Sequence, residues 1–487
     1  GNPQWRMQEA QAHHKLKQLL GSRAGSGWPH GLTLTRLVAR SLRRSDHSLF
    51  PIREGQRSEW MLSLLLPAVL SEAPIALVAS EPLQRRLLQH ELPLLRSAGL
   101  VRPLWQGTTT PASPCLWMLS PGDLVQVWQS NQLGEHQLLC AEAEQLEELL
   151  GDGQAVRIEP EHWDQLSASQ PPLREALVQL HERLSRQLLN RPLARQPKLA
   201  ISREQEAPLR LLLQGRTDLP GPWQRWLDCG DQSWTSWAIP DAGQLRWSLV
   251  RQPLQPLQSL HGVLEQRGAV LAGSWAPEGV RLDALGLDDP VVISLGDAQR
   301  EEALPLFAPR QQPFPNSAEY AGHLLDQCRR LVLGQGGLSI VVIDDNPLRQ
   351  WLTSALAAEF GRRVDHEQTA PESNGVVVCR WQWWLQNHEQ LPVPCQLVVG
   401  SLPIASLEDP LTAARVEALR RAGRDWFREW LLPDACDRLQ RSVAPLRGQQ
   451  PQPRLAILDG RLRSRSWGQQ LLSALEPWER LEQLRPD

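Results

Sequence analysis

The stretch "VVGSLPIASLEDPLTAARVEALRRAGRDWFREWLLPDACDRLQRSVAPLR" (398–447), followed closely by "LAILDGRLRSRSWGQQLLSAL" (455–475), carries the most positional information in the chain. Its apolar runs lie within "CQLVVGSLP" (395–403) and "RLAILDGR" (454–461). Both are short, nearly free of charge and bounded by Gly, Pro or Asp. That pattern predicts strands covered on both faces, as in a parallel sheet. Upstream, "GVVVCRW" (375–381) and "LSIVVID" (338–344) read the same way. The latter leads into a helix, "NPLRQWLTSALAAEFG", that Gly361 can cap. The first half repeats the alternation. "IALVAS" (75–80) precedes a helical "EPLQRRLLQHELPLLRSAG", and "CLWML" (115–119) precedes a helix from Pro121. "HQLLCA" (136–141) and "GAVLAGS" (268–274) are further strands. The expected fold is α/β, with two doubly wound sheets in tandem. Residues 155–255, rich in Trp, Gln and Leu and including "PPLREALVQLHERLSRQLL", are expected to form a mostly helical insertion. The Pro-rich "LFAPRQQPFPNSAEY" (306–320) reads as a linker. The expected divisions are an N-terminal extension (1–24), a first domain (25–295) and a second domain (296–487), with no repeat of solenoid period.

Composition narrows the function classes. With 487 residues and 41% apolar content, the chain can build more than one core. The net charge of −3 supplies no global basic field for nucleic acid. Lysine occurs only as Lys15, Lys17 and Lys198, so Arg carries nearly all positive charge. The longest apolar segment, "WMLSLLLPAVL", is far too short to span a bilayer, no secretory signal opens the chain, and no membrane association is expected. The seven Cys show no C-x-x-C pair and no His shows metal-ligand spacing, so no metal site is expected. The thiols read as reduced and the protein as cytoplasmic. Most of the 21 Trp sit in apolar contexts that predict packing in cores. His13 and His14 read as exposed terminal residues.

The 398–475 string resembles the second motor domain of DinG/XPD-type superfamily 2 DNA helicases. In that family a strand leads to L-P-F/I, then D-P, a helix, "LP-x-A", a Q-x-x-G-R-x-x-R motif and a last strand ending in "LDxR" with "R-x-Y/W-G" behind it. Upstream, "LVASEPLQRRLLQHELPLL" (77–95) is similar to the family's motif Ia, and "SLLLPAVL" (63–70) to the helix after its phosphate loop. The form is similar to a cyanobacterial DinG-like branch. The resemblance implies two tandem RecA-like helicase domains, the mostly helical insertion in the first, and descent from an ATP- and Mg²⁺-dependent enzyme.

The same resemblance assigns "AEAEQL" (141–146) to the D-E-A-H position, where Asp holds Mg²⁺ through water, Glu positions the attacking water and His couples ATP to DNA. Here those places hold Ala141, Glu142 and Glu144. Read without the resemblance, the segment is an acidic helix start. A phosphate loop needs glycines and a Lys, whereas "FPIREGQRSEWMLSLLLP" (50–67) has one Gly and no Lys. Arg53 and Arg57 are the cations it offers, and neither replaces a cradled Lys. The finger motif "QRSVAPLR" (440–447) keeps Gln440 and Arg447 but has Val443 and Ala444 for Gly and Arg. Such a finger contributes about 10³–10⁵ in rate. Motif III, normally S-A-T, reads "AGSWA" (272–276). Catalytic residues are therefore expected to be lost, with Glu142, Gln440 and Arg447 as remnants. Between motif Ia and motif II only Cys115 is present, so the family's iron–sulfur cluster is expected to be absent, and no cofactor is expected.

For nucleic acid, the resemblance points to groups at strand ends of both domains: Ser80, Gln84, Arg85, Arg349, Arg380 and Trp381. In "CRWQWWLQ" (379–386), Trp side chains either stack on single-stranded bases or pack in the core. "ARSLRRSD" (39–46) is a basic face, solvated by default. Asp344 and Asp345 either bind a cation or cap the next helix, with Asn346 expected as N-cap and Pro347 at N1. Three functions follow: a non-hydrolysing helicase-fold protein that binds single-stranded nucleic acid or serves as a scaffold, a divergent active ATP-dependent helicase, and a Trp-rich module that binds a protein partner.

Overall fold

The computed structural model describes residues 10–12, 14–19, 28–190, 197–230, 233–241, 246–274, 282–296, 302–482 and 484. Most of the expected extension 1–24, including His13, and the last two residues of "AGSWA" lie outside these. Apart from the short stretches 189–197 and 276–280, the chain divides into a first unit ending at Gly296 and a second beginning at Asp297.

The first unit contains β1 (His47–Pro51), β2 (Ile75–Val78), β3 (Leu104–Gln106), β4 (Leu116–Leu119), β5 (Gln137–Cys140), β10 (Ala269–Gly273) and β11 (Val291–Val292). They form a parallel seven-stranded sheet in the order β11-β1-β10-β5-β2-β4-β3. The inner strands β2, β4, β5 and β10 are buried at every position, because helices cover both faces. The order brings the carboxyl ends of β1, β10, β5 and β2 side by side, and the loops after those ends carry the segments compared above with motor motifs.

Between β5 and β10 the chain leaves the sheet. The insertion holds helices Pro160–Ser169, Arg174–Leu189, Arg203–Leu213 and Gly221–Asp228. It also holds a four-stranded antiparallel sheet that the sequence pattern did not announce. Its strands are β6 (Val156–Ile158), β7 (Leu199–Ile201), β8 (Trp234–Pro240) and β9 (Trp247–Pro253), ordered β6-β9-β8-β7. The physical reason lies in β9, which buries Ser248, Arg251 and Gln252 as well as Trp247 and Leu249, so no apolar–polar alternation is visible. The insertion packs its own core around Trp163, Trp223, Trp226 and Trp247.

The second unit contains β12 (Leu304–Phe307), β13 (Ser339–Val342), β14 (Val364–His366), β15 (Val376–Cys379), β16 (Gln396–Val399), β17 (Arg454–Ile457) and β18 (Trp478–Leu481). This sheet is also parallel, in the order β14-β15-β13-β16-β17-β12-β18. The expected linker 306–320 is corrected here: Leu306 and Phe307 belong to β12, between β17 and β18, and Tyr320 starts the helix Tyr320–Val332. Pro305 within it and Pro309 just after it hid a four-residue strand. Both sheets are RecA-like α/β units. Gly361, at φ +69°, does cap the helix Asn346–Phe360, but its N-cap is Asp345, whose carboxylate accepts from Leu348 N at 2.9 Å, rather than Asn346.

Candidate nucleotide site

The strand-to-helix turn after β1 is where a phosphate loop would lie. Three of its backbone amides, those of Ile52, Arg53 and Gln56, are engaged internally. Ile52 N donates to Gly273 O at 2.8 Å, and Arg53 N to Leu295 O at 2.7 Å. Gln56 N donates to the Glu59 carboxylate at 2.7 Å, while Glu59 N donates to Gln56 O at 2.8 Å. These last two bonds close the first turn of the helix Arg57–Leu70 with its own acid. An anion-binding helix terminus works by leaving such amides for the ligand. Gly55, at φ +96°, keeps the backbone form of a tight turn, yet the space above it is taken. A Cβ there would fall 2.4 Å from Trp28 Nε1, which itself donates to Glu54 O at 2.9 Å. In the next turn Trp60 is buried in the core.

The loop after β5 closes the other side. Ala141 is fully buried and Glu142 is 3% exposed. One Glu142 oxygen accepts from Ser80 N at 2.8 Å. The other accepts from Ser80 Oγ at 2.7 Å and lies 3.4 Å from Arg57 Nη1. Ser80 is the N-cap of the helix Glu81–Arg86, so the same hydroxyl orients motif Ia. Burying a carboxylate is costly unless donors such as these reach it. Glu144 turns towards β10: a Cβ on Gly273 would fall 2.0 Å from its Oε2. Glycine in "AGSWA" therefore makes room for a carboxylate where the family has S-A-T.

A magnesium triphosphate does not fit this donor set. No lysine is present, the amides of Ile52, Arg53 and Gln56 already serve backbone oxygens or Glu59, and the two loops carry four carboxylates (Glu54, Glu59, Glu142, Glu144) and only two guanidiniums (Arg53, Arg57). Among the described residues no cluster of three or more His, Cys, Asp or Glu is arranged to hold a metal ion.

The remaining expected residues scatter. Gln440 Nε2 donates to Ala474 O at 2.8 Å. Arg447 donates to Pro477 O at 3.0 Å and Leu475 O at 2.5 Å. Both tie down the turn after the helix Gly468–Ala474. Gln84 Nε2 donates to Ala79 O at 2.9 Å, and Arg85 is exposed. Two nucleic-acid candidates are buried. Arg349 is 5% exposed and spends its guanidinium on Ile343 O (3.1 Å), Asp344 O (2.9 Å), Asn346 and His366, so it holds the end of β13 rather than a phosphate. Burial lowers its pKa from the ordinary Arg value. Trp381 is fully buried and donates to Ser401 O at 2.9 Å, so it cannot stack on a base. Arg380 remains half out but is paired with Glu367 through Nε (2.6 Å) and Nη2 (3.0 Å), an ion pair that raises its pKa and lowers that of Glu367.

Comparison with known structures supports what the strand orders indicate. Xpd4 of S. tokodaii aligns over 89% of this chain and 96% of its own, with a TM-score of 0.60 and 12% identity. An apo structure of XPD aligns over 92% and 100%, again at 0.60 and 12%. The chain has the XPD helicase fold. In sequence it is similar to the ATP-dependent DNA helicase YoaA of Escherichia coli (strain K12), at 32% identity over 112 residues, which is 23% of this chain and 18% of that protein. The similarity to DinG/XPD-type helicases therefore rests on the XPD fold over nearly the whole chain and on sequence over a short part of it. No family profile matches the chain. Among the described residues of this XPD-type fold, no helix is long and apolar enough to cross a membrane.

Proposed function

We propose that this chain is a pseudo-helicase: an XPD-type fold that has lost ATP hydrolysis and works as a nucleic-acid-binding or scaffold protein. The observation that carries the reading is the Ser80–Glu142–Arg57 connection. It commits the one retained motif II acid to holding three chain segments together. A carboxylate so engaged is not free to polarise a water, and with the amides of Ile52, Arg53 and Gln56 taken and no Lys present the loop offers little to cradle a phosphate. The Trp-rich interaction reading has less support, because Trp60, Trp117, Trp223, Trp226, Trp247, Trp381 and Trp384 are all fully buried.

Steady-state phosphate release with Mg-ATP, with and without single-stranded DNA, tests the proposal. No turnover above buffer is expected; a kcat above about 1 s⁻¹, inside the ordinary enzyme range, overturns it. A second readout is melting temperature against Mg-ATP concentration. A ligand at a hundred times its Kd adds about 2.7 kcal/mol to stability, and no rise is expected.

A further inference from the structure

The second unit pairs its charges closely. Arg329, Arg330, Arg380, Arg420, Arg421, Arg424, Arg428, Arg438, Arg441 and Arg461 each lie within ion-pair distance of an Asp or Glu. Arg310, Arg463, Arg465 and Arg480 have no such partner among the described residues, and they come together. Strands β17, β12 and β18 are neighbours in the parallel sheet. Arg463 lies in the turn Arg461–Ser464 that follows β17, and Arg310 three residues beyond the end of β12. Arg480 is near the carboxyl end of β18, in register with Leu306. The two loops are fixed against each other: Gln312 Nε2 donates to Ile457 O at 3.1 Å, and a Cβ on Gly460 would fall 2.5 Å from Gln312 O. Arg480 and Arg310 are close enough to Arg463 to help lower its pKa, after the larger effect of burial. Phe314, on the loop after Arg310, is 37% exposed, and the Arg465 guanidinium lies 5.0 Å from its ring centre.

We propose that Arg310, Arg463, Arg465, Arg480 and Phe314 form a binding surface for single-stranded nucleic acid on the second unit. The inference rests on the binding half of the reading above and gives it an address. Like charges gathered without counterions cost folding free energy, so an anionic partner relieves them. Four guanidiniums match a run of backbone phosphates. The exposed ring beside them matches an unpaired base, whose face a duplex does not offer. Nearby acids do not cancel the patch. Asp459 is buried and held by Arg461, and Glu479 alternates to the opposite face of β18 from Arg480.

The test is fluorescence anisotropy of the full chain with a labelled oligothymidylate, titrated with salt from about 50 mM, where phosphate contacts are strong. Wild type is expected to bind, with log K falling linearly against log salt. The triple variant Arg310→Glu, Arg463→Glu, Arg480→Glu is expected to lose at least about tenfold in affinity. Removing three single-strand phosphate contacts should flatten the salt slope by about 2. Phe314→Ala is expected to weaken oligothymidylate binding while leaving binding of heparin, a polyanion without bases, unchanged. Retained melting temperatures show that the variants fold, as expected for the exposed Arg310, Arg480 and Phe314 and the half-buried Arg463. No wild-type binding, equal binding by the triple variant, or equal affinity for a duplex of the same length overturns the proposal. None of these results bears on the ATPase test, so the two readings fail separately.

Discussion

The loops at the carboxyl edge of the first sheet and those at the carboxyl edge of the second grow from the same kind of strand, yet their charges are disposed differently. In the first unit, Glu59 covers its own helix terminus and Glu142 collects Ser80 and Arg57. In the second, the β13 and β15 ends are closed in a similar way by Arg349 and by Arg380 with Glu367, but at the β12, β17 and β18 ends four arginines have no ion-pair partner among the described residues. On the proposed reading, one fold keeps a ligand surface in one place and closes another. A closed edge behaves as core and its substitutions are read out in stability. An open edge behaves as surface and its substitutions are read out in binding.

The sharpest way to break that distinction is Glu142→Ala. It removes the acceptor of the Ser80 amide and hydroxyl and the carboxylate beside Arg57, and about 3 kcal/mol of stability should be lost, measured by urea denaturation. A loss below about 0.5 kcal/mol would mean that the carboxylate is not structural and would reopen its catalytic role. Arg349→Ala comes next. Deleting the donor to two strand-end carbonyls should cost about 2 kcal/mol, with no change in oligonucleotide affinity. Gly55→Val should cost about 1–2 kcal/mol, because a β-branched residue at φ +96° is strained and Trp28 must move. Glu59→Ala removes half of a capping box and should cost about 1 kcal/mol. Arg380→Ala is expected to be smallest, within about 1 kcal/mol, since its pair with Glu367 is half in solvent. If Arg380→Ala proved as damaging as Arg349→Ala, exposure would be a poor guide to role at this edge.

The central strands were legible because a low-charge run such as "IVV" or "LVV" has one stable place, the interior of a parallel sheet. β12 was not, because prolines at 305 and 309 look like linker chemistry until a neighbouring strand supplies the pairing. The insertion sheet escaped notice because Arg251 finds Glu206 at 2.9 Å and can be buried in a strand; that partner lies 45 positions away. The site was legible in type but not in role. The absence of a Lys from 50–67 and the Ala at position 141 could be read directly. The duties of Glu142 could not, since Ser80 and Arg57 are 62 and 85 positions distant. Trp381 and Arg349 were placed at the right strand ends, but a strand end does not reveal whether the side chain that follows turns inward.

The bond between Glu59 and Gln56 N can also be considered as a concentration. A carboxylate tethered three residues from the amide it occupies has an effective concentration of millimolar at the least, the value for a short flexible linker, and far more when held in one rotamer at 2.7 Å. A free phosphate would have to compete against that local excess at every encounter. The first turn of the helix thus carries its own competitive inhibitor, encoded in cis and never diluted. Removing it by Glu59→Ala, which takes away both acceptor oxygens, would let dissolved anions compete for that amide without a tethered rival.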